Sequence, residues 1–426
     1  MDGNTFGKGF TVTTWGESHG KSVGCTIGNV PAQLRITEAD VQPQLTRRRP
    51  GQSAITTPRD EKDRVEIQSG VQNGLSLGLP MMMVVKNEDQ RPKDYGNKTM
   101  DMYPRPSHAD FTTQAKYGIK SESGGGRSSA RETIARVAAG AVAEKYMMDA
   151  FGIEIVAFTS SIGGIDLFPP TPEHPTPVTD PKFHEFLDNI SRETVDKFLP
   201  VRCPDQAISD KMVQLITEFK DRNDSIGGTV TCVVRNVPVG LGEPAFDKLE
   251  AMLAHAMLSI PATKSFEIGS GLTACTTPGS IHNDPFVSTK GREVPPSVAK
   301  SGAYLKGFTR PKLTTKTNFS GGIQGGITNG APIYFKVGFK PPATIGQDQL
   351  TATYDGESEG VLAAKGRHDP CVVPRAIPIV EAMAAITVMD ALVRHFGPKT
   401  LSQYLPYYRE PNEKGEAQVA APDDQL

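Results

Sequence analysis

Apolar residues at Ile134, Val137, Ala138, Ala141 and Val142 recur at three- and four-residue steps, and Lys145-Tyr146 extends the stripe. That spacing lines one face of an α-helix, predicting a helix from just after Ala130 to a stop at Gly152. A second stripe covers residues 377–396 and ends at Gly397-Pro398, which cannot continue a helix. Residues 246–258 and 208–219 read as further amphipathic helices. Between them lie short β-branched and aromatic runs: residues 10–14, 229–234 and 333–337 read as strands. Residues 167–177 and 282–311, rich in proline or glycine, read as surface loops or insertions.

Strand and helix signals alternate irregularly, with no short repeat and no boundary. The pattern predicts one mixed α+β domain over residues 1–410. Residues 411–426 are polar, carry two prolines and read as a disordered tail.

Charge narrows the function. The 426 residues hold 46 Lys+Arg and 48 Asp+Glu, a net charge of -2, which argues against a general nucleic-acid binder. Basic residues are still concentrated locally, as in Arg47-Arg48-Arg49. The cysteines at 25, 203, 232, 275 and 371 are scattered, with no CxxC and no zinc spacing, so they read as free thiols; Cys371 reads as a packing residue. No metal site is expected. The first twenty residues lack an apolar signal core, and the apolar run at residues 80–85 is too short to span a bilayer. The chain reads as soluble and cytoplasmic.

Three polar clusters carry the candidate chemistry. In Gly16-Glu17-Ser18-His19-Gly20, the imidazole can exchange a proton near neutral pH, with Ser18 beside it to orient it or meet a ligand oxygen. A strand-end turn with an exposed histidine fits this cluster equally well. In Gly125-Gly126-Arg127-Ser128-Ser129-Ala130-Arg131-Glu132-Thr133, glycines, two hydroxyls and two guanidiniums precede the long helix. Helix N-termini favour phosphate, so this cluster reads as an anion site, with Glu132-Thr133 in a capping role; the alternative is an N-capped helix with surface arginines. It is not a Walker A loop, because no Gly-Lys-Ser/Thr follows. The third, Gly366-Arg367-His368-Asp369-Pro370, offers a cation, an imidazole and a carboxylate, although standing alone it would read as a charged loop ahead of a helix. His108, in Pro106-Ser107-His108-Ala109-Asp110, is a second candidate acid, or equally a solvated side chain. The glycine-rich stretch at 321–327 would let a flat ligand approach, or make a tight turn between strands. From the residues alone, the reading is an enzyme that moves protons on a phosphorylated ligand as an anionic group departs.

In that order, GESHG, GGRSSARET and GRHDPC resemble the signatures of the chorismate synthase family. The flanking LTRRRPGQ, SHAD, RVAAGAVAEKY, DSIGG and GLGEPAFD are similar too, and the resemblance spans roughly residues 3–398. It implies a single-domain β-α-β sandwich and a homotetramer. The implied reaction converts 5-enolpyruvylshikimate 3-phosphate to chorismate and phosphate by 1,4-anti elimination, requiring reduced FMN. By motif, His19 would keep the flavin in its proper protonation state, His108 would protonate the departing phosphate, and Asp369 would act with flavin N5 in removing the C6 proton. Arg127, Ser128, Ser129, Pro261, Ala262, Gly325, Lys340, Pro341, Pro342, Ala343, Thr344 and Arg367 match flavin-contact positions. Arg48 and Arg131 match substrate-anion positions, with Ser18 as a supporting polar group.

The chain departs from bacterial members at Ala54, where many carry arginine, and at Pro261 and residues 341–344. Residues 167–199 and 282–311 are longer than in compact bacterial members. The stretch after Gly51 looks fungal, and some fungal members also reduce flavin with NADPH. That keeps two rivals in view, an NADPH:FMN reductase and a flavin-binding protein without turnover.

Overall fold

The computed structural model describes residues 3–51, 61–88, 102–120, 125–363 and 369–406, and the backbone of 408–409 and 418–419. The candidates Ala54 and Arg367 lie outside the described residues. So does the expected tail, apart from Gln418–Val419, which pairs with Tyr408–Arg409.

Two five-stranded antiparallel sheets flank a layer of helices. The first sheet holds β1 (Thr5–Phe6), β2 (Thr11–Gly16), β3 (Ser22–Gly28), β4 (Val65–Ser69) and β5 (Met81–Lys86), in the order β1-β2-β3-β5-β4. The second holds β6 (Glu154–Ile162), β7 (Ile165–Asp166), β8 (Gly228–Arg235), β9 (Thr263–Ile268) and β10 (Ile333–Phe339), in the order β9-β10-β8-β6-β7. Between them pack α1 (Glu38–Arg48), α3 (Thr133–Phe151) and α6 (Val373–Phe396). Two further helices, α2 (Asp110–Tyr117) and α5 (Leu249–Leu258), bear on the site, and α4 (Gln206–Asp221) covers the second sheet near β7. This is the α+β class that the residue pattern predicts, in the β-α-β layering that the family resemblance implies.

α3 and α6 are buried almost all round, as helices between two sheets must be. α6 is long and apolar enough to cross a membrane by length and composition, but 94% of its most apolar window is buried inside the protein. The two helices cross where a Cβ on Gly140 would come within 2.4 Å of the Ala382 Cβ.

Several boundaries differ from the sequence pattern for local reasons. α6 begins four residues before Ile377, because Pro374 sits in its first turn, where proline has no N–H to forfeit. Pro378 then leaves the Pro374 carbonyl without its helical donor, and the Arg202 guanidinium donates to it at 2.9 Å. α5 starts at Leu249 rather than at 246: Phe246 points into solvent, 95% exposed, and Leu249 is the first apolar side chain to pack inside. Residues 282–311 are not a plain loop. They contain a strand, Phe286–Ser288, and two short helices, Pro296–Ala299 and Gly302–Leu305. Gly302 fixes this excursion to the core, since a Cβ there would lie 1.7 Å from the Tyr404 carbonyl oxygen.

Candidate active site

Residues far apart in sequence line one cavity of about 420 Å³: Arg48 from α1, Ser107-His108 before α2, Ser128-Ser129 before α3, Pro261-Ala262 before β9, Lys340 and 342–344 after β10, and Asp369 before α6. Ile260, Phe339, Val372 and Ile379 supply apolar walls. The size lies in the range of small-molecule sites, about 300–1,000 Å³.

Arg47, Arg48 and Arg49 end α1, and the helix sends the first two in different directions. Arg47 turns into the core, where it donates to Asp196 at 2.7 Å and pairs with the fully buried Glu381. Arg48 faces the cavity and pairs with Asp63 at 2.9 Å, both side chains buried. Burial lowers the Arg48 guanidinium; Asp63 raises it, Arg375 and Arg131 lower it again, and the result is about 10. The Arg48 Nε is buried without a hydrogen-bond partner among the described residues.

Arg131 stands behind Arg48 on the same carboxylate. It reaches Asp63 at 3.1 Å, Glu61 at 3.3 Å and the Asn87 side-chain oxygen at 2.5 Å. Asn87 donates in turn to the carbonyls of Glu17 and Gly20 at 3.1 and 2.7 Å. The turn between β2 and β3, with buried Ser18 and half-buried His19, is thereby tied to the arginine cluster. Neither Ser18 nor His19 lines the cavity itself.

His108 lines the cavity, held from behind. Its Nδ1 lies 3.0 Å from Asp110 Oδ1, and Arg105 donates to both Asp110 oxygens at 2.7 and 2.8 Å. Burial would raise the Asp110 carboxyl, but hydrogen bonds from Arg105 and His108 outweigh it and hold the group far below the ordinary carboxylate range. With Nδ1 engaged, Nε2 is the nitrogen available to a ligand. Gly125 packs against this ring: with φ +86°, its missing Cβ would sit 3.0 Å from His108 Cε1. Lys340 reaches across to the same loop, donating to the Ser107 Oγ at 2.6 Å and carbonyl at 3.1 Å. Burial lowers the Lys340 ammonium, and Lys264 adds to the effect. Ala262 holds a left-handed φ of +71°, and its carbonyl accepts from the Lys340 amide at 2.9 Å.

The second sequence cluster forms two 3₁₀ turns, Gly126–Ser128 and Ala130–Glu132, before α3 begins. Ser129 caps locally by accepting from the Arg131 amide at 3.3 Å. Glu132 does not cap backbone: it accepts from the Thr14 hydroxyl at 2.8 Å and from Arg136 at 2.9 Å. Arg127 turns away from the cavity, donating to the Thr14 and Gly16 carbonyls and to Asn4 and so fastening β2. Pro341 lies between lining residues without lining the cavity. Gly325 sits elsewhere, in the two-residue turn Gly325-Gly326 between Ile323–Gln324 and Ile327–Thr328. Their φ values of +61° and +91° are what such a hairpin turn demands, so this stretch is a turn between strands. The Gly326 carbonyl docks on the first residue of α5, a helix of ten residues and so about 15 Å long, whose far end leads to Pro261.

Arg375 was not legible as a site residue. It lines the cavity from the first turn of α6 and pairs with Asp369 at 2.5 Å. The available signal was its position: a cation in the first turn of an apolar helix opposes the helix dipole and needs an anion nearby.

A family model described as chorismate synthase matches residues 10–393. The chain is 69% identical over 98% of its length to the chorismate synthase of Neurospora crassa, covering 96% of that protein. It is 60% identical over 92% of its length to that of Saccharomyces cerevisiae, again covering 96%. A crystal structure of chorismate synthase superposes with a TM-score of 0.66 at 28% identity, over 93% of this chain and 96% of that one.

Proposed function

The chain belongs to the chorismate synthase family and is a chorismate-forming lyase, and from that premise we propose that the cavity holds reduced FMN and the phosphorylated substrate together. The observation that carries the reading is convergence: segments around residues 48, 108, 128, 261, 340 and 369 meet at one cavity.

The residues present fit a flavin. Apolar walls at Ile260, Phe339 and Ile379 suit a flat ring system, and Ser128, Ser129, Lys340 and Thr344 suit its polar chain and phosphate. The buried Arg48 Nε is a donor suited to an anionic ligand. Reduced FMN, when bound, supplies electron-rich chemistry to a reaction with no net redox change.

The protein's own groups divide the proton work. The Asp369 carboxylate accepts the C6 proton of 5-enolpyruvylshikimate 3-phosphate. The C6–H electron pair enters the new double bond, the existing one shifts, and the C3–O bond breaks with its electrons on the phosphate. His108 Nε2 gives its proton to that departing phosphate, and Asp110 steadies the resulting imidazole through Nδ1. Arg48 meets the substrate's anionic groups from the cavity wall, and Arg131, sharing Asp63, supports it from behind. His19, carried on the turn anchored by Asn87, keeps the flavin in its working protonation state, with Ser18 in support. Arg127 acts on flavin binding through the β2 segment it fastens.

A cytoplasmic homotetramer and an intrinsic NADPH:FMN reductase activity belong to the same proposal. Chorismate formation is assayed with chemically reduced FMN, and separately with oxidised FMN plus NADPH. Product in both arms supports a bifunctional enzyme, and product only in the first removes the reductase activity. NADPH oxidation without product in either arm would overturn the proposed lyase site.

A further inference from the structure

We propose that Arg375 is the positioning residue for Asp369, holding the carboxylate at the angle from which it takes the substrate proton. The inference rests on Asp369 being the base. Asp369 leaves the chain just before Pro370, in a segment without helix or strand, so backbone geometry alone does little to aim its side chain. Arg375 sits in the first turn of α6, with its amide donating to the Val372 carbonyl at 3.1 Å and the rest of that helix buried between two sheets. Its Nη1 donates to Asp369 Oδ2 at 2.5 Å, and both side chains are only 16% exposed. A rigid helix therefore carries the donor, and the donor fixes the acceptor. The Pro370 carbonyl accepts from the Ile226 amide at 2.8 Å and pins the other side of the aspartate. The Arg375 Nε is buried without a partner among the described residues, so only part of the guanidinium is committed to this contact.

A positioning group acts on turnover rather than binding, and misplacing a reacting group by about 1 Å can cost about 10²-fold in rate. The test compares Arg375→Ala, Arg375→Lys and Asp369→Asn with the parent in single-turnover chorismate formation with pre-reduced FMN. Substrate protonated or deuterated at C6 is used, alongside substrate and FMN titrations. The expected result for Arg375→Ala is a fall of about 10²-fold in turnover, substrate and FMN affinities within a few-fold of the parent, and a larger C6 isotope effect. Arg375→Lys, which keeps the charge, recovers part of the rate, and it carries the test alone if the alanine variant does not fold. An unchanged isotope effect, or weakened substrate binding with unchanged turnover, overturns the positioning role. Near-parental turnover in Asp369→Asn instead overturns the base assignment on which the inference stands.

Discussion

Arg48 shows how a binding residue can also be a structural one. Its guanidinium lines the cavity and neutralises the buried Asp63. Removing one partner of an isolated buried pair costs about 3–5 kcal/mol; Asp63 keeps Arg131 at 3.1 Å, so the loss here is smaller. Arg48→Ala is therefore expected to lower both substrate affinity and melting temperature, whereas the sequence alone suggested a binding defect. Parallel substrate titration and thermal unfolding check this, and unchanged melting would mean that Arg131 alone compensates Asp63. At Asp110 the folded-state carboxyl lies below its unfolded value, held there by Arg105 and His108 against the effect of burial. Its contribution is thus complete above the unfolded value of about 3.9 and declines as pH falls through the lower folded value. The melting difference between the parent and Asp110→Asn should be larger at pH 5 than at pH 3. A difference that grows on acidification would contradict the assignment.

At the scale of elements, the sequence was most legible where periodicity and punctuation agree. α3 ends at Phe151 with Gly152 in the left-handed cap, as its stripe and glycine require. Boundaries were missed where tertiary contacts decided them: Phe246 is apolar yet exposed, and Pro374 starts a helix where the pattern alone suggested a later beginning. Residues 282–311 looked like loop because their elements are too short to show a period. The α3–α6 crossing is a contact that no periodicity reveals. Gly140 allows it, and Gly140→Val is expected to cost about 1–3 kcal/mol by overpacking against Ala382. Thermal or denaturant unfolding measures the loss, and a variant as stable as the parent would show that the two helices can part without cost.

At the scale of the molecule, the α+β class was legible because strand and helix signals alternate along the whole chain, whereas the β-α-β layering came only with the family resemblance. The site was legible through its residue types: His108, Ser128, Ser129 and Asp369 stand at one cavity. What the sequence could not convey was direction. Arg127 and Arg131 look equivalent in the GGRSSARET motif, yet one fastens β2 and the other joins the buried Asp63 cluster. Arg375 went unseen because its partner lies across a loop, and Gly325 stands in a hairpin turn, not among the cavity-lining residues. These distant segments are proposed to make one elimination site in which Asp369 takes the proton. Single-turnover chorismate formation by Asp369→Asn with pre-reduced FMN tests it most directly, because the amide keeps the shape and an oxygen for Arg375 but cannot serve as the base. The rate should fall by about 10²–10⁴ with substrate and FMN still bound. Turnover within a few-fold of the parent would contradict it.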